Sequence, residues 1–205
     1  MVEFKAPYFS KGELRTRAEE FLAAHNPSGE IPVPIEHIVE MRFGMDIVPV
    51  PGLQAGFDIV GFLTNDMQEI RVDEYVYLNR LNRYRFSLAH ELAHRILHAE
   101  LWRQMHFNDI ASWKTAVTQS IAEKEYGFVE FHANFFAGLI LVPTPDLETE
   151  FRQCVAMARQ QGLDIHDEAT GAQELVESYI GRAFDVSRDV IHKRLETERL
   201  WACPE

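Results

Sequence analysis

A chain of 205 residues, 46% hydrophobic and 25% charged, can bury one substantial core and carry at most a small appendage. Its net charge of −12 excludes phosphate backbones and anionic membranes as default partners of the whole surface; a basic segment is the better electrostatic match. No apolar run reaches the length of a membrane span, and Met1–Lys5 lacks the basic and apolar regions of a signal peptide. Cys154 and Cys203 show no metal-ligand spacing, so they read as free thiols in a reducing cytoplasm.

Taken in chain order, Ser10 is a predicted N-cap for a helix over 10–25, whose apolar face is Leu14, Ala18, Phe21 and Leu22. Asn26-Pro27-Ser28-Gly29 ends it. A short helix is expected from Ile35 to Phe43, stopped by Gly44, then a strand over 46–50. Residues 57–63 and 67–72 read as two strands of a hairpin about the turn Thr64-Asn65-Asp66, hence a small antiparallel sheet. A long helix follows over 86–102 with Ser87 as N-cap. Residues 103–118 read as a packed loop, and a second long helix runs from Thr118 to Leu141 across Gly127. Thr144-Pro145 starts a helix that Gly162 closes, and two helices over 172–184 and 187–200 finish the chain. The expected division is a main domain over 1–162 and a C-terminal helical hairpin over 163–205.

The helix over 86–102 carries His90-Glu91-Leu92-Ala93-His94. Two histidines four residues apart share a helix face, about 6 Å apart along the axis, so both imidazoles can reach one ion. The intervening glutamate can then address water at that ion, which is the zinc-hydrolase arrangement. The alternative is an amphipathic helix with hydrogen-bonded histidines. Phe86, Leu88, Ala89, Leu92, Ala93, Ile96 and Leu97 argue against it, because they bury a helix that would then hold unpartnered polar groups.

Catalytic zinc usually takes three protein ligands. His98 fails as the third, since His90 and His98 would be about 12 Å apart along a straight helix. Glu100 would need a preceding glycine turn, where the chain has Leu97. Glu130 on the second helix is a candidate, and small Ala133 and Ala137 would let the two helices approach closely. Spacing alone leaves Glu123 and Glu125 open beside it.

Arg85 through His94, then Leu97-His98, then Glu130-Phe131-His132-Ala133-Asn134-Phe135-Phe136-Ala137 ending at Pro143, resembles the ImmA/IrrE metallopeptidase family. The resemblance covers about residues 30–195 and is sharp in the two helices. It implies an α+β, zincin-like and mostly helical fold, with one zinc held by His90, His94 and Glu130 and with Glu91 as catalytic base. Other divalent transition metals also suit two histidines and a carboxylate. Tyr84, His98, Tyr126, His132 and Asn134 are candidates to orient a ligand or stabilise an oxyanion. The family's Leu-Met-Pro ending is Leu141-Val142-Pro143 here, a conservative change.

The last two helices, joined by Asp185-Val186-Ser187, resemble a helix-turn-helix unit. Asp185, Asp189, Glu196 and Glu198 nearly cancel Arg182, Arg188, Lys193, Arg194 and Arg199, so DNA reading is the weaker interpretation. The leading expectation is a zinc endopeptidase acting on a regulatory protein, such as a separately encoded helix-turn-helix repressor. The alternatives are a DNA-associated regulator with a structural or vestigial metal site, and a toxin-like protein held inactive by a partner.

Overall fold

The computed structural model describes residues 6–105, 107, 109–120, 122–165 and 171–202. Helix α1 (Lys11–His25) starts at Ser10, which forms a capping box with Glu13, and buries Leu14, Ala18 and Phe21. The short α2 (Ile35–His37) runs on into a π-helical turn over Ile38–Arg42 and ends before Gly44, whose φ of 60° suits glycine.

Strand β1 (Asp46–Val50) is followed by a helix, α3 (Leu53–Phe57), where the sequence predicts only a turn running into a strand. The carboxylate of Asp73 accounts for it. One oxygen accepts from Gln54 N at 2.9 Å, and the other caps α4 (Glu74–Asn79) through Val76 N at 3.1 Å. The strand expected over 57–63 is thereby cut to β2 (Gly61–Leu63), paired with β3 (Glu69–Asp73).

The sheet is mixed rather than antiparallel. β2 and β3 form the expected antiparallel hairpin, but β1 lies on the far side of β3 and parallel to it, giving the order β1-β3-β2. The crossover through α3 and β2 carries the chain back to the starting edge, which makes a parallel neighbour possible.

The motif helix α5 is Leu81–Leu97, starting a turn and a half before Ser87, which lies inside it. It ends at His98 rather than Trp102, and α6 (Ala99–Gln104) follows after this break, where His98 has a φ of −126° and a ψ of 16°. The expected packed loop over 103–118 contains a helix, α7 (Ile110–Ser120), which Asp109 and Ser112 start by exchanging hydrogen bonds. Met105 and Phe107 are buried in front of it. Helix α8 (Glu123–Leu141) begins later than predicted, after Ala122, and passes uninterrupted through the exposed Gly127.

Helix α9 (Thr144–Gln160) carries Pro145 in its first turn, and α10 (Ala172–Ala183) and α11 (Arg188–Glu198) complete the fold. Ser187 caps α11 as predicted, accepting from Val190 N. Cys154 is a buried free thiol, and Cys203 lies outside the described residues. No single helix is long and apolar enough to cross a membrane.

The core is centred on α5 against α8. Ala89 and Ala93 of α5 and Ala133 and Ala137 of α8 are fully buried, and their small side chains bring the two backbones together. α1 packs on the same α8, while β2 and β3 lie against α5. The C-terminal hairpin is pinned to α8 by the buried Arg194. Its guanidinium pairs with Glu198 and donates to Val142 O at 3.2 Å and Thr144 Oγ1 at 2.8 Å. Gly138 leaves room for it, since a Cβ there would meet Arg194 Cδ at 3.4 Å.

Candidate metal centre

The crossing of α5 and α8 brings His90, His94 and Glu130 together. One ligand atom from each lies within 4.8 Å of the others. The Nε2 atoms of His90 and His94 are 3.0 Å apart and stand 3.3 and 3.5 Å from the two Glu130 oxygens. Two imidazole nitrogens and a carboxylate converging from one side suit a divalent transition metal and leave the other side open.

Each of the three has its own outer partner. His94 turns its Nδ1 to His98 Nδ1 at 3.1 Å, and Trp102 stacks on its ring at 4.5 Å between centroids. His90 donates to the Asn134 side chain, and the Tyr126 hydroxyl donates to Glu130. Such partners fix ring orientation and hold ligands in the geometry that a metal needs. The electrostatics agree. Burial would raise the Glu130 carboxyl, but hydrogen bonds from His90 and His94 outweigh it and hold the group well below the usual carboxylate range. Burial opposes protonation of His90, yet Glu130, Glu91 and Asn134 together raise its pKa. A cationic centre can take over the charge balance that these groups now supply to one another.

Glu91 is 7% exposed and faces the sheet. Its Oε2 accepts from Leu63 N at 2.9 Å, so the edge strand β2 fixes the carboxylate. Burial chiefly raises its pKa, and the Glu130 charge adds to this, against the lowering influence of His90, His94 and the Leu63 N–H. The carbonyl of the same Leu63 accepts from Trp102 Nε1 at 3.4 Å. Both outward-facing groups of Leu63 are therefore engaged, which closes that end of the β2 edge.

His98 and His132 lie behind His94, on its Nδ1 side. His98 Nε2 is 3.4 Å from His132 Nδ1, and His132 Nε2 accepts from Phe9 N at 3.4 Å. Burial, then the neighbouring imidazoles, push His98 down to about 2, and burial also lowers His132, so both rings are neutral. They can orient a ligand but do not face the open side. Tyr84 is turned away altogether and donates to Glu36 at 2.9 Å. Among the other carboxylates weighed for the third position, Glu125 accepts from Ala6 N, Glu123 is exposed, and Glu100 pairs with Arg103. Sequence reading missed Trp102 and Leu63. Trp102 was visible as the third member of a four-residue ladder with His94 and His98; the Leu63 backbone leaves no sequence signal.

The chain matches the model of the IrrE N-terminal-like domain over residues 41–196. Its fold is similar to that of a Mycobacterium tuberculosis transcriptional regulator, at a TM-score of 0.51 and 20% identity, over 90% of this chain and 46% of that one. This chain thus spans less than half the length of that regulator. No curated protein matches. The matched region takes in α5 and α8 with all three converging side chains, and the chain belongs to the IrrE N-terminal-like peptidase family.

Proposed function

We propose that this chain is a zinc-dependent endopeptidase that cleaves a regulatory protein, such as a separately encoded helix-turn-helix repressor. The convergence of His90, His94 and Glu130 beside a buried, singly anchored Glu91 carries the reading. Zinc held by those three residues supplies Lewis acidity toward a carbonyl and makes water easier to deprotonate.

The residues do the rest. Leu63 N–H occupies Glu91 Oε2 and leaves Oε1 to accept a proton from the attacking water. Burial raises the Glu91 pKa, which favours its holding that proton and then passing it to the leaving amine nitrogen. Asn134 and His98 keep the His90 and His94 rings turned toward the centre, and Tyr126 does the same for Glu130. The free thiol of Cys154 supports a reducing, cytoplasmic setting.

A second reading, a DNA-associated regulator with a structural metal, draws on the name of the similar structure. The placement of α11 weighs against it. On the helix that would read DNA, exposed Asp189 and Glu196 interleave the cations, while Ile191, Arg194 and Leu195 are buried against the rest of the fold. Glu91→Gln decides between the two. Zinc content should stay near one per chain while cleavage of a repressor substrate falls about a thousandfold or more, as for loss of a general base. A variant that cleaves at the wild-type rate would sink the hydrolase mechanism.

A further inference from the structure

A groove of about 1380 Å³ runs beside the metal centre, between the α4–α5 junction, α8 and α11. It begins one helical turn from His90, at Phe86, and shares Asn134 with the centre. Its sign is opposite to that of the whole chain. Lys11, Arg80, Arg83 and Lys193 line it and are exposed, in a protein of net charge −12.

None of these four cations has a carboxylate partner among the described residues. Arg80 lies over the Tyr75 ring and Lys11 over the Phe135 ring, each 5.8 Å from the centroid. Aromatic faces hold such cations without neutralising them. Arg194, also in the lining, is already paired with Glu198. The opposing acids are Asp189 and Glu196, and Glu196 faces His192 at 3.4 Å. Between the cations stand apolar Leu81, Phe86, Phe131 and Val190, together with neutral polar side chains such as Gln54, Asn79 and Asn82. The apolar side chains strengthen the field of the charges beside them.

We propose that this groove is the substrate-recognition arm of the centre and takes a peptide segment carrying carboxylates beside apolar side chains. This deepens, and rests on, the peptidase reading. It also reverses the expectation from net charge, under which a basic segment is the better match. Nucleic acid is the less suited polyanion, because Asp189 and Glu196 stand among the cations and the groove presents apolar side chains beside them rather than a continuous basic face.

The test uses the zinc-loaded Glu91→Gln chain and two fluorescein-labelled peptides. In one, glutamate alternates with leucine and phenylalanine; in the other, lysine replaces the glutamates. Anisotropy at low salt should show about a tenfold preference for the acidic peptide, shrinking as salt rises, since exposed pairs are individually weak and screened. Arg80→Glu with Lys193→Glu should bring the two affinities to parity. Lys193→Glu alone, on an exposed helix position, should narrow the gap if the double variant fails to fold. Equal binding of the lysine peptide, an unchanged preference in folded variants, or tighter binding of a single-stranded oligonucleotide would overturn the groove assignment. Digestion by the zinc-loaded wild type separates the two readings. Cleavage of both peptides at equal rates overturns the groove and leaves the peptidase; acidic-peptide binding with no cleavage of these peptides or of casein overturns the peptidase and leaves the groove.

Discussion

The Nδ1 of His94 lies 3.1 Å from the Nδ1 of His98, on the opposite side of the ring from the nitrogen that faces His90 and Glu130. The histidine too far along the helix to be a ligand thus braces one. Outer partners of this kind typically contribute about 10–100-fold in metal affinity. His98→Ala should weaken zinc binding by about that factor, measured by competition with a chromophoric chelator. An unchanged affinity would leave the Trp102 stack as the sole brace of His94.

The same contact has a direction. Phe9 N–H donates to His132 Nε2, which places the His132 proton on Nδ1, the His98 proton on Nδ1 and the His94 proton on Nε2. Zinc needs the lone pair of His94 Nε2, so His94 must then donate from Nδ1 and His98 must accept there. Zinc loading should therefore switch His98 from its Nδ1–H to its Nε2–H tautomer and open one of the two 3.4 Å contacts behind it. Ring ¹⁵N shifts of His98 with and without zinc check this; a proton that stays on Nδ1 refutes the relay.

Gly61 allows the anchor of Glu91. A Cβ there would sit 3.0 Å from Arg71 O and 3.9 Å from Glu91 Cγ, so an added methyl must push β2 away from its partners. Gly61→Ala should cost about 1–3 kcal/mol of stability, as overpacking does. It should also lower kcat about tenfold with zinc content unchanged, because a displaced Leu63 N–H no longer fixes the base. Reduced stability with full kcat would mean that Leu63 does not position Glu91.

His192 gives a pH signature far from the centre. Its Nδ1 is 2.7 Å from a Glu177 oxygen, and this hydrogen bond, against a smaller burial penalty, raises its pKa. A raised folded-state pKa means that the protonated form stabilises the α10–α11 hairpin below the unfolded value near 6.5, and that this contribution is lost as pH rises through the folded pKa. Wild-type Tm should fall across neutral pH relative to His192→Gln. Parallel Tm profiles for the two proteins would refute the link. Half of the His192 side chain is in solvent, so the effect should be modest.

The centre was more legible than its frame. His90, Glu91 and His94 are set by helical period alone, and that period survives wherever α5 begins. Glu130 needed the resemblance, because spacing does not say which turn of α8 faces α5. The boundaries went astray where a distant group decided them. Asp73 makes a helix of 53–57, and the turn at His98 divides a pattern that reads as continuous to Trp102. The parallel β1 was illegible for a like reason, since a crossover leaves no mark on the strand that it returns. The groove cations come from α1, the α4–α5 junction and α11, and no local pattern joins them.

Arg194 and Lys193 are neighbours on α11 with opposite obligations. One is buried against α8 and holds the hairpin in place; the other lines the groove. Any lineage that retunes its diet by altering this helix must therefore do so on alternate faces. Drift at 189, 193 and 196 is open to selection for a new target, while change at 191, 194 or 195 is removed by folding before selection on the target begins.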